Sequence, residues 1–84
     1  HQANRFMTDF FSKRLKVPAE KVPYSITKFG NTSSASIPLT IVTELEAKYP
    51  NREKVILSGF GAGLSWGSTI VDLTKTKVST LITY

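Results

Sequence analysis

The order of apolar patterns along the chain predicts an α/β fold with elements in the order helix, strand, helix, strand, strand around a mixed sheet. Three observations carry that expectation. Ala3, Phe6, Met7, Phe10, Phe11 and Leu15 recur at helical spacing. Ile37, Ile41, Leu45 and Tyr49 form a second helical stripe. Val55-Ile56-Leu57 is continuously apolar, and Ser65 to Leu73 is rich in β-branched residues.

The first stripe predicts a helix over about Gln2–Leu15, with Asp9, Ser12, Lys13 and Lys16 off the apolar face and Pro18 limiting its end. Stripes of aromatics and methionine usually form core, and three phenylalanines on one short helix call for a larger body to pack against. Val22-Pro23-Tyr24-Ser25-Ile26 alternates and predicts a short strand, at an edge or bulge because Pro23 cannot donate to a ladder. Phe29-Gly30-Asn31 predicts a tight turn with Gly30 at positive φ.

The second helix ends near Lys48, stopped by Pro50-Asn51. Pro38 fits a first helical turn and not an interior, so the helix starts at Pro38 or starts near Thr32 and kinks. Lys54–Gly59 and Ser65–Leu73 are predicted strands on either side of a glycine-rich turn. Val78–Ile82, in the tail from Thr74 to Tyr84, is the candidate for a last short strand.

Composition bounds the function. Eighty-four residues make at most one small domain, which buries only ~60–65% of its unfolded surface. The chain has no cysteine, which excludes a disulfide scaffold, a thiolate metal site and a cysteine nucleophile within this segment. No apolar run reaches bilayer length and no leader-like pattern is present, so a cytoplasmic protein is expected. The net charge of +5 is concentrated in residues 1–28, a balance that favours an acidic partner or simply a solvated helix face.

Two polar residues suggest chemistry. His1 is the only histidine and opens His1-Gln2-Ala3-Asn4; Asn31 lies in Gly30-Asn31-Thr32-Ser33-Ser34-Ala35-Ser36. An imidazole and a carboxamide can donate to one carbonyl oxygen, although singly each residue reads as an ordinary surface, turn or capping residue. Gly59-Phe60-Gly61-Ala62-Gly63 imitates a dinucleotide fingerprint. That fingerprint requires a helix next, and the following Ser65-Trp66-Gly67-Ser68-Thr69-Ile70-Val71 reads as strand. The glycines read instead as a hairpin, with backbone N–H groups offered to a ligand oxygen.

His-Gln-Ala-Asn, then Phe-Gly-Asn-Thr-Ser-Ser-Ala-Ser-Ile-Pro, then Gly-Phe-Gly-Ala-Gly-Leu-Ser-Trp-Gly, in that order over residues 1–73, resembles the C-terminal end of β-ketoacyl-acyl-carrier-protein synthase III. These are thiolase-like condensing enzymes. Chalcone-synthase-type relatives share the asparagine turn and the glycine loop but follow their histidine with Pro-Gly. The resemblance implies a thiolase-like layered α/β fold, of which residues 1–84 are a C-terminal segment. It implies an acyltransferase that joins an acyl thioester to malonyl-acyl carrier protein by decarboxylative Claisen condensation, in fatty-acid or related acyl-chain biosynthesis. No cofactor is implied, because the acyl groups arrive on coenzyme A or acyl carrier protein.

By the same resemblance, His1 and Asn31 are the catalytic pair that stabilises the enolate. Phe60, Gly61 and Ala62 belong to a loop whose backbone N–H, at about Ala62, helps form a second oxyanion hole; the family often has glycine where Ala62 stands. Arg5 is the candidate for docking acidic carrier protein. The family pattern reads Leu-Arg after His-Gln-Ala-Asn, whereas this chain reads Arg5-Phe6, a shift of about 100° around a helix.

The nucleophilic cysteine is expected in an N-terminal half outside this sequence, at a helix end that favours the thiolate. The isolated 84 residues are therefore expected to be inactive, and the parent enzyme to be a homodimer. Neither a metal, a membrane nor a nucleic acid is expected as a partner. The competing expectations are a non-catalytic packing or interaction module that retains the motifs, and a small basic anion- or nucleic-acid-binding domain. The latter lacks aromatics interleaved with Lys and Arg on a sheet face.

Overall fold

A computed structural model describes residues 1–84. It is an α/β arrangement: a run of short helices followed by one β-hairpin. Helix α1 spans Arg5–Arg14. It starts later than the apolar stripe predicts because Asn4 is its N-cap, with extended backbone and a side chain that accepts the Met7 N–H at 2.8 Å. Residues 1–4 are thereby freed to run as extended chain towards the hairpin. Lys13 and Arg14 complement the dipole in the last turn.

The end of α1 is a Schellman motif. Val17 N–H donates to Ser12 O at 2.9 Å and Lys16 N–H to Lys13 O at 3.2 Å. Lys16 sits at φ 55°, the left-handed position that glycine usually fills. Left-handed backbone costs an L-residue ~1–2 kcal/mol. Lys16→Gly is therefore expected to stabilise the protein by about 1 kcal/mol in denaturant unfolding; an unchanged or lowered midpoint contradicts this reading of the cap.

The strand expected over Val22–Ile26 does not form. Its backbone groups are used elsewhere: Pro23 O accepts the Gln2 side-chain amide at 3.1 Å, and Ser25 O accepts the N–H groups of Lys28 and Phe29. Ser25 instead stands at the start of a one-turn helix α2, Ile26–Phe29, after a short 3₁₀ turn at Ala19–Lys21. The expected mixed sheet is replaced, within these residues, by one antiparallel pair. The Val78–Ile82 segment is likewise not a strand; the chain after Val71 is turn and coil.

The second helical region answers the Pro38 question. It opens as a 3₁₀ turn at Ser33–Ala35, continues as α3 (Ser36–Thr40), widens into a π-helical stretch (Ile41–Leu45) and closes as α4 (Glu46–Lys48). It thus starts near Thr32, with Pro38 inside the first turn of α3, where a missing N–H costs nothing. Thr40 and Thr43 hydroxyls donate back to the Ser36 and Leu39 carbonyls at 2.8 and 2.9 Å.

Strands β1 (Val55–Gly61) and β2 (Ser65–Val71) pair from Val55↔Val71 to Gly61↔Ser65. Ala62-Gly63-Leu64 is left as a three-residue tip, with Gly63 and Leu64 at positive φ. One face of the hairpin packs on α3, where Gly59 lies against Ile37. The other face carries Ile56, Trp66 and Ile70 in the open.

The core differs from expectation. Leu45 is the only buried apolar residue; the others buried are Gln2, Ser25, Ser36, Thr40 and Glu44. The α1 stripe is not core in this segment: Phe6 is 79% and Phe10 54% exposed. One hairpin and a few short helices do not supply enough facing surface to cover it. Sequence periodicity identifies an apolar face, but not what covers that face.

Candidate active site

Three elements converge where the extended N-terminal residues cross the hairpin. The His1 backbone nitrogen donates to Ser58 O at 2.6 Å, laying the residue against β1. Its ring packs on Phe60, with centroids 4.8 Å apart and planes tilted by 36°, and Phe11 lies 6.4 Å beyond. His1 Nδ1 faces the Phe60 peptide. The carbonyl oxygen, 2.7 Å away, accepts from Nδ1 when that nitrogen is protonated; the N–H, 3.4 Å away, donates to Nδ1 when it is not. This backbone partner of the ring was not legible in the sequence, because a main-chain group leaves no residue-type signal.

His1 Nε2 points the other way, to 3.4 Å from Asn31 Oδ1. Asn31 is set by its own turn: Oδ1 accepts the Ser33 N–H at 2.9 Å, an Asx-turn. That bond orients the carboxamide and leaves Nδ2 without a partner in the chain. The turn is conformationally costly. Gly30 adopts φ 69°, ψ −161°, a region essentially reserved for glycine, and Ser33 sits at φ 53°. The sequence-based assignment of positive φ to Gly30 is met.

His1, Ser33, Ser34, Ile37, Gly59, Phe60 and Gly61 line a cleft of about 330 Å³. Phe60 and Gly61, singled out in the glycine loop, therefore join His1 around one space; Asn31 is not among its lining residues and meets it only through its 3.4 Å approach to His1 Nε2. Ala62 lies one residue further on, at the exposed hairpin tip. A larger cleft of about 460 Å³ lies elsewhere, between Arg52 and the 74–79 tail, and holds none of these residues.

Arg5 is separate from the cleft. Its Nε lies 3.7 Å from Asp9 and its guanidinium 5.3 Å over the Tyr24 ring. Tyr24 OH donates to the same carboxylate. That hydrogen bond to Asp9, with burial beside it, raises the tyrosine pKa above its ordinary value. Arg5 is thus half committed to a local cluster, a restraint its sequence position did not disclose.

The Asn31 turn makes a direct prediction. Gly30→Ala places a Cβ in a backbone region that costs ~1–3 kcal/mol. Nothing lies within 4 Å of that Cβ, so crowding adds nothing. Unfolding should show a loss of that size, together with loss of whatever activity depends on Asn31. An alanine variant of unchanged stability contradicts the conformation.

No group of three or more His, Cys, Asp and Glu side chains is placed to hold a metal ion. No helix is long and apolar enough to cross a membrane. What the cleft offers is an imidazole beside an aromatic wall and a glycine backbone, with the Asn31 carboxamide 3.4 Å from the outer ring nitrogen.

Comparison with known proteins gives the family. Residues 1–73 match the family described as 3-oxoacyl-[acyl-carrier-protein (ACP)] synthase III C terminal. The chain is 51% identical over 71 residues to the beta-ketoacyl-[acyl-carrier-protein] synthase III of Acaryochloris marina, covering 83% of this chain and 21% of that protein. It is 42% identical over 76 residues to the enzyme of the same name from Streptococcus pyogenes serotype M49, covering 87% and 24%. The chain therefore spans about a fifth to a quarter of the length of these relatives. No solved structure gives a significant match. With the family model matching 73 of 84 residues, the chain belongs to the 3-oxoacyl-acyl-carrier-protein synthase III C-terminal family.

Proposed function

We propose that this chain is the C-terminal segment of a condensing acyltransferase, and that His1 and Asn31 stabilise the enolate formed when malonyl-acyl carrier protein loses carbon dioxide. The observation that carries the reading is the approach of the Nε2 of His1, which lines the cleft, to Asn31 Oδ1 at 3.4 Å, with His1 Nδ1 and Asn31 Oδ1 each held by a backbone group.

The chemistry follows from those groups. The C–C bond to the malonyl carboxylate breaks, carbon dioxide leaves, and the electron pair moves onto the thioester oxygen. His1 Nε2–H and Asn31 Nδ2–H donate to that oxygen. Nε2 carries its proton when Nδ1 accepts from the Phe60 N–H, and also when the ring is fully protonated and Nδ1 donates to the Phe60 carbonyl. The enolate carbon then attacks an acyl-cysteine carbonyl, and the cysteine leaves as thiolate. The Gly61 and Ala62 amides are assigned to that second oxyanion, and Phe60 to the wall beside the cysteine. Arg5, with its side chain 65% exposed, is assigned to docking the acidic carrier protein.

The nucleophile belongs to the rest of the protein, as does cover for the open faces of α1 and the hairpin. The test is acyl transfer by the full-length protein. An acyl-CoA with a labelled acyl group should leave a hydroxylamine-labile label on one upstream cysteine, and alkylation of that cysteine should block condensation. A full-length protein with no acylatable cysteine would leave the segment as a packing module that keeps the motifs without the reaction.

A further inference from the structure

The two donors come from segments thirty residues apart, and their own contact, at 3.4 Å, is too long to hold them in register. His1 is anchored to β1 and Asn31 to its own turn. One other polar bond joins the two segments. The Gln2 backbone N–H donates to Ser36 Oγ at 2.6 Å, one residue from the histidine and five from the asparagine. Both partners are buried: Ser36 is 1% and Gln2 7% exposed.

The bond continues into a buried polar network. The Gln2 side-chain amide donates to Pro23 O at 3.1 Å, and Thr40 Oγ1 donates to Ser36 O at 2.8 Å and lies 2.6 Å from Ser25 Oγ. In a segment whose only buried apolar side chain is Leu45, this network ties the N-terminal residues to α3. Gln2 Oε1 is the one atom of this network left without a partner; the bonds that are made restrict the geometry of the groups they join. A two-donor site needs its groups held within ~0.5 Å.

We propose that Ser36 is a positioning residue, whose hydroxyl sets the spacing of His1 and Asn31 through the Gln2 amide. The proposal rests on the enolate reading above. It assigns to Ser36 no contact with substrate, only control of where Nε2 and Nδ2 meet the same oxygen.

The test uses the full-length protein and follows two steps separately: acylation of the cysteine by acyl-CoA, and decarboxylation of malonyl-acyl carrier protein. Ser36→Ala is expected to lower decarboxylation kcat at least tenfold, with KM for malonyl-acyl carrier protein and the acylation rate within about twofold. In the Asn31→Ala background, Ser36→Ala should cost less than threefold, because no second donor remains to be aligned. Should Ser36→Ala fail to fold, Thr40→Val tests the same network one bond further out, with an expected three- to fivefold loss confined to decarboxylation.

Equal losses in both steps, full additivity with Asn31→Ala, or a lowered Tm with undiminished decarboxylation would each overturn the positioning role. His1→Ala and Asn31→Ala in the same assay keep the two ideas apart. If they are inactive while Ser36→Ala is normal, only the positioning role fails. If they decarboxylate at the unaltered rate, the enolate reading fails first.

Discussion

Asn31→Asp in the full-length protein is expected to lower malonyl decarboxylation by about 10²–10³-fold, the usual cost of losing one oxyanion donor. The substitution keeps the shape of the side chain, and the Ser33 N–H can still bond Oδ1 as it does now at 2.9 Å. What changes is the outer atom, where an amide donor becomes a carboxylate oxygen. That oxygen cannot donate to an enolate and repels its charge. The loss corresponds to ~3–4 kcal/mol of transition-state stabilisation. Because the charge exists only as the C–C bond breaks, the loss should fall on kcat, with little change in KM. Steady-state decarboxylation separates these, and an aspartate variant with normal kcat removes Asn31 from the mechanism.

His1→Ala is expected to cost the same order, with a different pattern of rescue. The ring does two things: it packs on Phe60 at 4.8 Å, and it presents Nε2 towards Asn31. His1→Phe keeps the packing and loses the donor, so it should be as slow as alanine. His1→Gln keeps an N–H donor on a chain of similar reach and should recover part of the rate. If phenylalanine recovers activity and glutamine does not, the ring acts by packing and the donor role is wrong.

His1 and Asn31 were legible as candidates because the flanking motifs, in their order, resemble those of a known family; the 3.4 Å approach between them was not. Gly30 was legible for a different reason: a tight turn before a helix needs a residue free to take positive φ, and the backbone at φ 69° agrees. The hairpin followed from Val55-Ile56-Leu57 and from the β-branched run after Ser65, and β1 and β2 lie there.

The Val22–Ile26 segment went the other way. Its alternation looked like a strand, but a strand needs a neighbour, and its carbonyls are taken by Gln2 and by the first turn of α2. Sequence pattern reports what a side chain prefers to touch, not whether a partner strand is in reach. For the same reason the Phe60 peptide beside His1 Nδ1 left no trace. The exposure of the α1 stripe has a related cause: the apolar face is written in the sequence, whereas its cover is not supplied by these residues.

The central claim is that one thioester oxygen meets both donors. A crystal structure of the full-length protein, its cysteine acylated and a malonyl thioester analogue that cannot lose carbon dioxide bound, tests it directly. The analogue's thioester oxygen is expected within hydrogen-bonding distance of both His1 Nε2 and Asn31 Nδ2. An oxygen that meets neither, or that lies against the Gly61–Ala62 backbone instead, would contradict the claim.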